Sequence, residues 1–238
     1  MRAGEIEGLP NEKLVELFNG ARDTEYETLN KALRDLGGRR KKRDAGTLVE
    51  EVDRIRRQFH QIREVDFFDS PRAQDVEMLL RKTEGAQRTN EPLPKISPRN
   101  YRGKTWLTRP RPEIDRVGSA WLIRKFIDSD ARFMFASKIS ANRHAISFDM
   151  LDAEFSHHGE NCTFETLTKR FGIQDKVVHK IGEMIHDADL EDEKFQRNEC
   201  IGIDRVLKGW AREGMADREI LGRGFQCFDG LYAFLCRL

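Results

Sequence analysis

The sequence predicts an α/β protein of the α+β kind, mostly helical, with an N-terminal helical hairpin segment followed by a mixed α/β C-terminal domain. Apolar residues recur at helical spacing up to about residue 80, and a proline-bearing stretch then interrupts the pattern. Beyond it, short β-type runs alternate with further amphipathic stretches. A chain of 238 residues can form one large domain or a small segment plus a domain of ordinary size, and the different texture of its halves favours the second. The expected division is a helical segment over 1–83, a linker over 84–104 and a domain over 105–238.

In the first segment Leu14, Leu17, Phe18, Ala21, Leu29, Leu33 and Leu36 outline a helix, which Gly37-Gly38 is expected to stop. The basic run Arg39–Arg43 then reads as a turn. Thr47-Leu-Val-Glu50 has the form of a capping box, the Thr oxygen and the Glu carboxylate each serving an orphan amide. It predicts the start of a second helix with the stripe Leu48, Val52, Ile55, Phe59 and Ile62. Ser70-Pro71 offers an N-cap and a first-turn proline for a third helix through about Leu80. Alone, such helices bury little apolar surface, so this segment is expected to pack on the rest of the chain or on a partner. Pro92, Pro94 and Pro98 mark the linker. Short strands are expected after it at Thr105–Thr108, Arg132–Ala136 and Ile146–Phe148. Helices are expected at Ser119–Ile127, Thr163–Phe171, Lys176–His186, Asn198–Glu213 and Asp217–Leu238, and no internal repeat is visible.

Charged residues make up 35% of the chain, yet the net charge is only +1, which argues against a generic nucleic-acid coat while permitting a local basic patch. No long apolar run could span a membrane, and no apolar signal core follows the charged start. Cys162, Cys200, Cys227 and Cys236 form no Cys-x-x-Cys pair, so a disulfide framework is not expected and a reducing cytoplasm is the simpler location.

Chemistry gathers in three islands of the second half. The first is cationic: Arg109, Arg111, Arg116, Arg124 and Lys125 flank a strand-to-helix passage. Guanidinium groups hold tetrahedral oxyanions through paired donors, and a helix N-terminus adds amides and a favourable dipole. Ser119 stands where it could cap that helix or donate to an anion. The plainer alternative is a set of surface charges paired with Asp115 and Asp128.

The second island holds His157, His158 and Cys162 around the turn-forming Gly159. Imidazole and thiolate suit a borderline or soft metal, and a thiol at a helix start would have its pKa lowered. Cys162 is the candidate catalytic residue on that view; simple packing of single His and Cys residues is the alternative. The third island, His186, Asp187 and Asp189, is expected at a helix C-terminus and the following turn. Carboxylates there oppose the helix dipole, which calls for a compensating cation or a functional role, whereas Glu191–Glu193 read as a solvated acidic turn. His157, Cys162, His186, Asp187 and Asp189 are thus the metal candidates, and a divalent transition metal is the cofactor they suggest. Arg39–Arg43 could touch phosphate backbones, but a solvated loop between two helices is the plainer explanation. A Gly-rich phosphate loop, a nucleophile elbow and a complete zinc signature are all missing from the sequence.

The stretch from Thr108 to Asp128 resembles the opening of the C-terminal domain of ChrB-type chromate resistance proteins. Phe155-Ser-His157 through Gly159 to Cys162-Thr-Phe-Glu165, then Ile185-His-Asp-Ala-Asp-Leu190 and Phe228-Asp-Gly-Leu-Tyr232, continue the likeness in order. Leu14–Tyr26 and Val65-Asp-Phe-Phe68 resemble the family's middle region. On the resemblance, Arg109, Asp115, Arg116, Trp121, Arg124, His157, Cys162, His186, Asp187 and Asp189 fall on motif positions, with Asp115 and Trp121 in structural roles. It implies a cytoplasmic sensor or regulator of chromate efflux that binds chromate or a similar oxyanion at Arg109, Arg116, Arg124 and Ser119. A metal- or thiol-dependent redox enzyme acting on chromate or on reactive oxygen by-products is the alternative. Relatives begin with a winged-helix-like domain, and this chain is expected to start where that domain ends. Contact with DNA would then need that domain to be supplied. A homodimer is compatible with the resemblance, and a membrane partner is not expected.

Overall fold

A computed structural model of the protein describes residues 11–39, 45–68, 70–85 and 93–237. Of the basic run, residues 40–43 and the side chain of Arg39 lie outside the described residues, as does the side chain of Thr47. The chain divides into two compact units, Met1–Gln87 and Arg88–Leu238. Among the described residues, no helix is long and apolar enough to cross a membrane.

The first unit contains α1 (Asn11–Arg39), α2 (Ala45–Val65) and α3 (Arg72–Gly85). Helix α1 runs through Gly37-Gly38 instead of stopping there. Glycine costs a helix interior only about 1 kcal/mol relative to alanine, which lowers its stability without ending it. Leu29, Leu33 and Leu36 of α1 meet Leu48, Val52, Ile55 and Phe59 of α2 and Val76 and Leu80 of α3 in a buried core. Leu17 and Phe18, expected on the same stripe, are instead 59% and 49% exposed. Tyr26 takes the buried place, donating its hydroxyl to Asp66 Oδ2 at 2.9 Å. Asp66 also pairs with Arg63 at 2.8 Å and accepts the amide of Ser70. The Ser70 hydroxyl accepts from the Arg72 amide at 3.2 Å, the cap that the sequence predicts for α3.

In the second unit the strands are β1 (Thr105–Thr108), β2 (Arg132–Phe135) and β3 (Ile146–Ser147), in the parallel order β2-β1-β3. Parallel neighbours need a crossover, and α4 (Ile114–Leu122) with its π-helical continuation Ile123–Ile127 supplies the one from β1 to β2. Four more helices follow: α5 (Thr163–Arg170), α6 (Lys176–Leu190), α7 (Glu199–Arg212) and α8 (Asp217–Leu235).

Every one of the nine residues of α4 is buried. This helix starts at Ile114, five residues before the expected Ser119, because Glu113 before it makes no side-chain cap bond and the helix's polar face of Asp115, Arg116 and Ser119 is turned into the protein. Helices α5, α6, α7 and α8 all pack on α4. Around it lie Trp106, Phe148, Phe155, Phe164, Ile181, Ile185 and Phe228 in one apolar core. Asp128 ties the end of the crossover to the start of β1, accepting from the amides of Gly103 (2.7 Å) and Lys104 (2.9 Å) and from the Trp106 indole (3.1 Å). Helix α6 runs past His186 to Leu190, so Asp187 lies at its C-terminal end as expected, and Asp189 lies in its last turn and not in the turn beyond.

Candidate functional site

The three islands meet where the parallel strands end. Arg109 follows β1 directly, and Asp149 stands two residues past β3 with its backbone in the left-handed region at φ 48°. Asp115 and Ser119 come from α4, Thr163 opens α5, Asp189 lies in the last turn of α6, and His157 sits on the loop before α5. Open parallel sheets characteristically place ligand crevices at the C-terminal ends of their strands.

Asp115 is almost fully buried and acts as the anion at the start of α5. Its Oδ2 accepts the Thr163 amide and its Oδ1 the Phe164 amide, each at 2.8 Å, and Ser119 Oγ donates to Oδ1 at 3.2 Å. A carboxylate there satisfies orphan amides and complements the helix dipole. Asp149 is the anion for the arginines. Its Oδ2 lies 3.0 Å from Arg116 Nε and 3.6 Å from the Arg109 guanidinium, while its Oδ1 accepts from Thr163 Oγ1 at 3.0 Å. Arg116 also donates to the carbonyls of Pro110 (3.0 Å) and Arg111 (2.9 Å), which fixes the turn between β1 and α4. Into this arrangement His157 presents Nε2, 3.2 Å from Asp115 Oδ2, 3.5 Å from Asp189 Oδ2 and 3.8 Å from Asp149 Oδ1.

A second cluster holds Cys162, Glu165 and His186. His186 Nδ1 is 2.6 Å from Glu165 Oε2, and its Nε2 is 3.3 Å from Asp192 Oδ2. Burial works against a charged imidazole, but the carboxylates of Glu165 and Asp192 outweigh it and raise the His186 pKa. Glu165 also accepts the Cys162 amide at 3.0 Å. Asp187 accepts the amides of Phe195 and Arg197 and so pins the loop between α6 and α7.

The metal candidates therefore separate into two neighbouring groups. His157 and Asp189 share one with Asp115 and Asp149; Cys162 and His186 share the other with Glu165, and on its far side His186 also lies near Asp187 and Asp192, where Asp187 holds the loop. The activated thiol expected of Cys162 is not found. Complete burial, then the nearby Asp115, Glu165 and Asp189 charges, push the thiol well above its ordinary pKa. Nor is the arginine island one receptor. Arg109 and Arg116 converge on Asp149, but Arg124 is exposed over the Phe225 ring at 5.3 Å, and Lys125 pairs with Asp229 at 2.8 Å. Ser119 is internal to α4 and caps nothing. Trp121 is structural, its ring packed in the core and its indole donating to the exposed Asp229 at 2.9 Å. The backbone of His158 forms the tight turn with Asn161 over Gly159. Thr163 and Glu165 lie within the Cys162–Glu165 motif, but neither they nor Asp149 and Asp192 are among the expected site residues; for Asp149, its place directly after a predicted strand end is the available signal.

Comparison with known proteins agrees with this half of the chain. The family model described as ChrB, C-terminal domain, matches residues 106–235. Protein ChrB of Cupriavidus metallidurans is 33% identical over 202 residues, covering 79% of this chain and 61% of that protein. The chain thus spans less than two thirds of that relative's length. No solved structure matches it.

Proposed function

The chain belongs to the ChrB family, whose C-terminal domain occupies residues 106–235, and from that premise we propose that it is a cytoplasmic chromate-resistance protein whose second unit senses chromate or a similar oxyanion. The carrying observation is that Arg109 and Arg116 share a single carboxylate, Asp149, inside a centre whose partly open members are Arg109, His157 and Asp189. Their side chains are 14%, 10% and 23% exposed, against 3% for Arg116 and 1% for Asp115. A tetrahedral dianion arriving on that side meets one guanidinium and one imidazole and competes with Asp149 and Asp189 for them. Asp189 belongs to the last turn of α6, so displacing it would shift that helix end and give the anion a structural readout. Regulation of an efflux operon would extend this reading to DNA through a winged-helix-like domain such as the resemblance implies. Thiol redox chemistry at Cys162 has less support, because the sulfur is buried and its thiolate disfavoured.

Calorimetric titration with chromate and with sulfate tests the proposal, on metal-loaded and metal-free protein. Chromate should release heat at one site per chain, and Arg109→Gln should weaken it by about 10-fold or more, the worth of a charged hydrogen bond. An absence of heat with either anion in both forms of the protein would rule the sensor out.

A further inference from the structure

We propose that Asp115, Asp149, His157 and Asp189 form a binding site for one divalent first-row transition-metal ion. The inference rests on the crowding around a single ring nitrogen. His157 Nε2 faces carboxylate oxygens of Asp115 at 3.2 Å, Asp189 at 3.5 Å and Asp149 at 3.8 Å. One ring nitrogen carries at most one proton, so it can donate one good hydrogen bond and not three. The ligand atoms of Asp115, Asp149 and His157 all lie within 4.8 Å of one another and form the core of the site, while Asp189 stands outside that triad and joins it through its 3.5 Å approach to His157. Around an ion with bonds of about 2.0–2.2 Å, neighbouring ligand atoms stand about 3–3.5 Å apart, so small side-chain adjustments close the shell.

Outer partners already hold these carboxylates as ligands are held. Asp115 is fixed by the Thr163 and Phe164 amides and by Ser119; Asp149 is fixed by Arg116, Arg109 and the Thr163 hydroxyl. The site also stands at the C-terminal ends of β1 and β3, and Asp149 reaches it from a left-handed backbone, a conformation that concentrates at functional sites. Three carboxylates and an imidazole are hard to borderline donors. They suit manganese, ferrous iron, cobalt or zinc rather than cuprous copper, and the thiol of Cys162 belongs to the other cluster.

Charge gives the site its role, on the premise of the oxyanion reading. The centre sets three carboxylates against two guanidiniums, so a divalent ion held by neutral His157 leaves it with one net positive charge. With the ion in place the cation, and no longer the imidazole that holds it, meets the incoming dianion beside Arg109, and the dianion then competes with Asp189 for the ion.

Titrating chelator-treated full-length protein with Co2+, followed by visible absorption and calorimetry, tests the site without chromate. Wild type should take up one Co2+ per chain. His157→Gln and Asp189→Asn should weaken uptake by more than about 100-fold, and Thr163→Val, which removes an outer partner, by about 10-fold. Asp192→Asn, in the neighbouring cluster, should leave it unchanged. Asp189 is partly exposed, so its variant should keep wild-type circular dichroism even if His157→Gln does not fold. No Co2+ uptake by wild type, undiminished uptake in folded Asp189→Asn, or loss confined to Asp192→Asn would each overturn the site. Co2+ uptake without any chromate heat would leave the site standing and remove the sensor reading instead.

Discussion

Single side chains in the second unit do two jobs at once, and Asp115 is the clearest case. The same carboxylate caps α5 through two amides and faces the His157 ring, so the start of one helix is built into the centre. His186 has a counterpart role in the neighbouring cluster, and its charge state carries a prediction. Its folded pKa is raised, so its contribution to stability is complete below the ordinary histidine value of about 6.5 and is lost as pH rises through the folded pKa. Wild type should therefore lose stability relative to His186→Gln as pH rises from about 6 to about 9 in urea melts; a pH-independent difference would contradict the ion pairs. At this scale the sequence was half legible. Asp115, His157 and Asp189 stand in ordered motifs and do converge, while His186, from the same motifs, joins the neighbouring cluster with Glu165. Glu165 stands in a motif and Asp192 in the acidic turn, yet their site roles, like that of Asp149, are not legible, because a carboxylate's partners are set by tertiary contact and the chain holds 41 acidic residues that look alike in sequence. Cys162 misled for the same reason. A helix start favours a thiolate only where water or a cation reaches it, and here burial and three carboxylates decide against one.

Among the elements, α4 organises the second unit, and two glycines show how tightly it is enclosed. A Cβ on Gly224 of α8 would lie 2.3 Å from Val117 Cγ1 of α4, and one on Gly118 would lie 2.5 Å from Ile185 Cδ1. The first clash is the harder to relieve. Val117 is β-branched, stiff at χ1 and fully buried, whereas Cδ1 is the free end of the Ile185 side chain. Alanine gains about 1 kcal/mol of helix propensity over glycine, but overpacking a filled core typically costs about 1–3 kcal/mol. Gly224→Ala should accordingly be destabilised by about 1–2 kcal/mol in denaturant melts, and a stabilised variant would show that α4 and α8 have room to part. The strands and the helices from α5 onward were legible to within a few residues, since each presents one apolar face. Helix α4 is half hidden because no capping side chain marks its start and its polar face is buried in the centre. The end of α1 was misplaced because paired glycines look like a stop while tertiary packing overrides their propensity.

For the whole molecule, the two units hold separate stores of stability. Tyr26, Leu33, Ile55, Phe59 and Leu80 belong to the core of the first; Trp106, Val117, Phe148, Phe164, Ile185 and Phe228 belong to that of the second. A domain of about 150 residues buries roughly 70% of the surface its unfolded chain exposes, enough to stand without help. Three helices with few buried side chains are closer to the margin, where amphipathic helices draw most of their stability from packing. The second unit also carries every residue of the centre, since Arg109, Asp115, Arg116, Asp149, His157 and Asp189 all follow Arg88. A fragment of residues 88–238 should therefore melt cooperatively by circular dichroism and take up Co2+ with an affinity within about 3-fold of the full chain, the context-dependence expected of a site built inside one domain. A fragment that keeps its helix signal but binds hydrophobic dye and melts without a transition would show instead that α4 and its neighbours need the first unit to reach their packed state.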